Sequence, residues 1–107
     1  MTALKITVEK KSEKLIVLRL KGEFEGLSAV DRKNDLLSHV QDHAAESLCL
    51  DLADIAYIDS TTIGILLEMA AKAAEQKLKF GLIHANDNIK KVLSVTKVDK
   101  AITLFDE

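Results

Sequence analysis

"LCLDLADIAYIDSTTIGILLEMA", residues 48–70, decides how this chain is read. Leu48, Leu50 and Leu52 fall on one side of an extended segment, and Cys49 on the other side is apolar too, so the strand is expected to be central in its sheet and covered on most of both faces. From about Thr61 to Gln76 the period changes to that of a helix. Ile63, Leu66, Leu67, Ala70 and Ala74 form one apolar stripe and Ile65, Met69 and Ala73 a second, which predicts a largely buried helix. Between strand and helix stands "DSTTIG", residues 59–64, a corner rich in hydroxyls with neither proline nor a glycine pair to turn it.

Upstream, "LKITVE" alternates Leu4, Ile6 and Val8 with polar residues, and "LIVLRL" follows after "KKSEK". Two such runs joined by a short polar turn predict an antiparallel hairpin. A loop, "GEFEG", leads to Ser28, with Asp31 three residues on, the pattern of a capped helix start. Ala29, Leu36, Val40 and Ala44, with Val30 and Leu37 beside them, would form its inner face, and Asp31, Arg32, Lys33 and Asp35 its wet one.

Downstream, "LKFGLIH" predicts a strand and "NDNIKKVLSV" a short helix capped by Asn86 or Asp87, with Ile89, Val92 and Leu93 inward. The tail "KVDKAITLFDE" offers one more short element anchored by Ile102, Leu104 and Phe105. The order β-β-α-β-α-β-α plus a tail element implies an α/β domain spanning residues 1–107, a mixed sheet with helices packed on it.

Composition narrows the function. The chain has 107 residues, 48% hydrophobic and 30% charged, enough for one domain with one core. Its net charge is −2 and its 15 Lys and Arg are dispersed, so no nucleic-acid surface and no membrane patch is expected. No apolar run approaches the roughly 20 residues of a membrane span, and "MTALKITVEKK" lacks the build of a signal peptide, so a cytoplasmic protein is expected. The one cysteine, Cys49, reads as a small core residue.

Ser60 falls where a helix cap should sit, and its Oγ could serve as cap and nothing more. The same place suits a phosphate, because a helix N-terminus presents free N–H groups. The neighbouring Asp59, and Glu23 and Glu25 if their loop ends on the same edge, would then repel it. Catalysis finds little support. "DST" resembles the Asp-Ser/Thr-Gly loop of aspartic proteases, which needs glycine where Thr61 stands. Ser60 has no nucleophile elbow around it, and His84 shows no partner in the sequence. His39 and His43 stand four apart, as metal ligands can, but without a visible third ligand they read as exposed helix positions. Phe24, between Glu23 and Glu25, would be a partner contact if exposed.

These residues resemble the STAS domain of bacterial anti-sigma factor antagonists over nearly the whole chain. "LCLDLADIAYIDSTTIGILL" is similar to the family's strand followed by Asp-Ser, small residues, an apolar residue and Gly. "KGEFEG" resembles its Gly-Glu-Leu-Asp loop, and "IKKVLSVTKVDKAITLFDE" its closing helix and tail. The resemblance implies a monomeric switch protein with no catalytic, cofactor or metal site. Its partners would be a serine kinase that is also the anti-sigma factor, and a PP2C-type phosphatase. The phosphoacceptor position corresponds to Ser60, with Thr61 and Thr62 as alternatives. Glu23, Phe24, Glu25, Asp59, Ser60, Thr61, Thr62, Ile63 and Gly64 would form the docking face, Ile63 through apolar contact. Gly64 would serve the close approach of a partner or, equally, tight packing within the domain.

Two departures stand out. Thr62 replaces the family's usual Gly, adding a β-branched side chain to the first helical turn, and Glu25 replaces Asp. Two rival readings are an interaction module of a stress-signalling scaffold or of a lipid or anion transporter, and a small serine hydrolase built on Ser60 and Asp59.

Overall fold

In the computed structural model, which describes residues 3–41 and 45–105, the elements follow the expected order. Strands β1 (Lys5–Lys10) and β2 (Leu15–Lys21) form the hairpin, and α1 (Gly26–Gln41) leads to β3 (Ser47–Asp54). Helix α2 (Ser60–Glu75), β4 (Lys79–Ile83) and α3 (Asp87–Val95) come next. The tail supplies both a 3-10 turn, Val98–Lys100, and a strand, β5 (Thr103–Phe105).

The five strands lie side by side in chain order, β1-β2-β3-β4-β5, with β1 antiparallel to β2 and each later pair parallel. Because parallel crossovers are right-handed, and every one here steps in the same direction, the helices gather on one face. The packing agrees. Leu18, Leu50 and Leu82 stand in register across the sheet and share one core with Leu36 of α1, Leu66 and Met69 of α2, and Ile89 and Leu93 of α3.

Among the described residues the opposite face carries no helix, which corrects the expectation that β3 is covered on most of both faces. Cys49 is nevertheless buried, because Val17 and Ile83 on the flanking strands crowd it into a separate small cluster. Phe105 lies over Gly81, where a Cβ would stand 2.2 Å from its ring. The rest of that face is a groove of about 760 Å³.

Local chemistry explains the other departures. Helix α1 starts at Gly26 rather than after Ser28: Gly26, at φ +51°, turns the chain, and Glu25 O accepts the first helical N–H, from Ala29, at 3.2 Å. Ser28 is thus buried inside the first turn. Ala29, Leu36 and Val40 point inward as expected, but Val30 is half exposed, and Ala44 lies outside the described residues. Helix α2 buries Ile65, Leu66, Met69 and Ala73 yet leaves Gly64, Leu67, Ala71 and Ala74 in solvent, so it is less covered than its composition implied. Asn86, not Asp87, caps α3, its Oδ1 accepting from Ile89 N at 2.8 Å.

Candidate functional site

The hydroxyl corner is organised by Asp59. Its extended backbone, φ −125° and ψ −172°, makes it the N-cap of α2, and Oδ1 accepts from Thr62 N at 3.0 Å. Its other oxygen, Oδ2, accepts from Gly26 N at 2.9 Å, so one carboxylate ties the start of α2 to the start of α1. A second tie lies beneath it, where Thr62 Oγ1 donates to the carbonyl of Phe24. A third is the parallel bridge between Phe24 and Ile58.

These contacts hold the 22–26 loop against the corner. Burial pushes the Asp59 carboxyl upward, but the N–H groups of Thr62 and Gly26, the Thr62 hydroxyl and the Thr61 N–H outweigh it, and the pKa lies below the ordinary carboxylate range.

Ser60 is therefore not the cap. It occupies the first position of the helix, exposed, and its hydroxyl has no hydrogen-bond partner among the described residues. Thr61 beside it is half-buried. Thr62 is fully buried with its hydroxyl engaged, which removes it as an alternative acceptor and from any contact surface. Its side chain is buried with the hydroxyl on the loop carbonyl of Phe24, and so does not crowd the approach to the corner.

Phe24, expected as an exposed contact, is also fully buried, because the bridge to Ile58 turns its ring into the core between two half-buried acids, Glu23 and Glu25. Ile63 is half-buried against the core. Gly64 is exposed, and a Cβ there would meet nothing within 4 Å, so packing inside the domain does not require glycine at this position.

A groove of about 160 Å³ lies beside the corner between the 22–25 loop and Ala56 and Tyr57. Ser60 does not line it. His84, which had no partner visible in the sequence, stands with Nδ1 2.9 Å from Asp51 Oδ1 and lines the groove on the open sheet face. Burial raises the Asp51 carboxyl pKa, but the N–H of Ala53, His84 and Arg19 draw it below the ordinary range. The groove that His84 and Asp51 line does not include Ser60, so the structure does not bring this histidine to the serine.

Among the described residues no three His, Cys, Asp or Glu groups gather as metal ligands. Of the pair considered for a metal, His39 is on α1 and His43 lies outside the described residues. No helix among them is long and apolar enough to cross a membrane.

Comparison with known proteins supplies the family context. The model of the family described as "Mlab, STAS domain" matches residues 7–105. A candidate anti-sigma factor antagonist of Thermotoga maritima is 28% identical over 57 residues, 53% of this chain and 50% of that protein. The chain thus spans about half the length of the curated relatives it matches.

Among solved structures, a candidate anti-sigma factor antagonist of Thermotoga maritima superposes with a TM-score of 0.86 at 19% identity, over 95% of this chain and 86% of that one. The Bacillus cell fate determinant SpoIIAA in its phosphorylated form gives 0.72 at 14% identity, over 96% and 91%. At such identities the structures speak for the fold.

Proposed function

The chain belongs to the family of Mlab-type STAS domains, and on that premise we propose that it is an anti-sigma factor antagonist whose partner choice is set by phosphate on Ser60. Unphosphorylated, it docks on a serine kinase that is also an anti-sigma factor and so frees the sigma factor. Phosphorylated, it is released until a PP2C-type phosphatase resets it. It acts in the cytoplasm as substrate and ligand, not as catalyst.

The observation that carries this reading is the difference between two neighbouring side chains. Asp59 does the structural work of the corner, which leaves the Ser60 hydroxyl exposed and without a partner among the described residues. A phosphate there would add about −1.5 to −2 charges beside a carboxylate that already occupies the helix N-terminus. Within an interface, an unpaired charge costs about 2–5 kcal/mol. That equals roughly 30-fold to several thousand-fold in affinity, enough to release a partner with no rearrangement of the domain. One structural neighbour, SpoIIAA, is known in a phosphorylated form.

The test is to incubate the chain with its host's serine-kinase anti-sigma factor and ATP, and to follow intact mass and binding. Wild type takes up one phosphate. Ser60→Ala takes up none yet still binds the kinase, and Ser60→Asp binds at least about 30-fold more weakly. Undiminished incorporation in Ser60→Ala would move the acceptor to Thr61. Equal binding by all three forms would sink the switch and leave the rival reading of an assembly module in a scaffold or transporter.

A further inference from the structure

Tyr57 is the chain's one tyrosine, and at 64% exposure it carries the most open aromatic ring among the described residues. Its backbone is nonetheless held on both sides. Ala56 O accepts from Asn86 Nδ2 at 3.1 Å, and Ile58 bridges to Phe24. The ring therefore stands on a fixed segment three residues before Ser60, so a partner that meets it has little loop motion to arrest. Its hydroxyl makes no hydrogen bond among the described residues, and the ring takes no part in the core.

Tyr57 and Ala56 form one side of the groove beside the corner, and the 22–25 loop forms the other. At about 160 Å³ the groove falls short of the roughly 300–1,000 Å³ that encloses a small molecule, and suits one long side chain. Glu23 already interacts within the domain. Glu25 does not: it is half-buried, and its carboxylate has no hydrogen bond or ion pair among the described residues. No base stands by to neutralise it, since residues 22–31 and 54–64 contain no Lys or Arg and Lys21 lies opposite Asp54 in the sheet register. A groove with an aromatic ring on one side and an uncompensated carboxylate on the other calls for a flat cation that can stack and donate in its own plane at once. Guanidinium meets both demands, and ammonium meets them less well.

We propose that this groove seats a single arginine side chain of the partner protein, its guanidinium stacked on the Tyr57 ring and hydrogen-bonded to the Glu25 carboxylate. This deepens the reading of the Ser60 corner as a docking face, on which it rests, by naming the partner's contact there. Tyr57 takes the place that Phe24, being buried, cannot fill. The contact needs no phosphate on Ser60.

The test titrates the full chain with N-acetyl-arginine amide and follows its backbone amides by heteronuclear NMR. Two further probes are run beside it: N-acetyl-citrulline amide, an uncharged analogue of the same shape, and N-acetyl-lysine amide. The arginine probe should shift the amides of residues 22–25 and 56–58 along one saturable curve, lysine should bind about threefold or more weakly, and citrulline should not bind. Tyr57→Leu should weaken the arginine probe about two- to fivefold, and Glu25→Gln about three- to tenfold. Glu75→Gln, at the far end of α2, should leave it unchanged. Circular dichroism verifies that each variant folds.

No saturable shift at these amides, equal binding of citrulline, or unchanged affinity in both Tyr57→Leu and Glu25→Gln would overturn the proposal. The switch fails separately. If the arginine probe behaves as expected but the serine-kinase anti-sigma factor binds neither wild type nor Ser60→Ala, the groove stands and its partner is another protein. If that kinase binds wild type and Tyr57→Leu/Glu25→Gln equally, the switch stands and the groove falls.

Discussion

Asp59→Asn isolates the clamp from the cap. Asparagine caps helices as well as aspartate does, so the bond from Thr62 N survives. The second oxygen becomes an NH₂ group that faces Gly26 N–H, donor against donor, where the wild-type carboxylate accepts at 2.9 Å. A hydrogen bond to a charged acceptor contributes about 1.5–3 kcal/mol, and the corner is open enough for water to recover part of it, so the expected loss is about 1.5–2 kcal/mol. Asp59→Ala loses the cap as well, a further ~1 kcal/mol.

Urea unfolding reads both. With a slope of about 1–3 kcal/mol per molar, Asn should lower the midpoint by roughly 1 M and Ala by more. The sign with pH follows from the lowered pKa of Asp59 in the folded chain. Its contribution is complete above the unfolded value of about 3.9 and is lost as the pH falls through the lower folded value. The gap between wild type and Asn should therefore hold at pH 7 and close below about pH 4. A variant as stable as wild type at pH 7, or a gap that stays constant down to pH 3, would refute the clamp.

Thr62→Val keeps the shape but leaves the buried carbonyl of Phe24 without its donor, which should cost about 1–3 kcal/mol in urea unfolding. A cost near zero would mean that water reaches the carbonyl. Gly64→Ala should stabilise the chain by about 0.5–1 kcal/mol, because the position is helical and open, and raise Tm by about 2–8 °C. A fall in Tm would show that something does approach the missing Cβ.

The order of the elements was legible because each has its own period: alternation in Leu4, Ile6 and Val8, helical spacing in Ile65, Met69 and Ala73. What periodicity does not tell is which arc of a helix is covered. Both stripes of α2 look equally apolar in sequence, and only the arc toward the sheet is buried, which left Leu67 exposed. Val30 of α1 is exposed for the same reason.

At the corner, Asp59 and Ser60 are adjacent and both able to cap. The choice rests on Gly26 N, 33 residues away, which engages the second carboxylate oxygen. Phe24 looked exposed between two acids because its burial depends on pairing with Ile58, a contact outside the local sequence. Cys49 is buried, as its place in an apolar strand implies, but strand neighbours cover it, not a second layer of helices. The nearness of the 22–26 loop to the corner, by contrast, agrees with the docking face that the resemblance implies.

The sheet order β1-β2-β3-β4-β5 also has a kinetic meaning. From β2 onward every strand lies beside the one that precedes it in the chain, so none waits for a segment not yet made. A chain emerging from the ribosome can add β3 to a finished hairpin, β4 to β3, and β5 to β4, each time closing only the loop of one helical crossover. Nothing has to be inserted between strands already paired, the step that exposes unpaired edges longest. The final addition is β5, three residues long, and its Phe105 settles over Gly81, where any side chain would block it. That ring can seat only when β4 and β5 are in register, so the pairing of these two strands carries its own check.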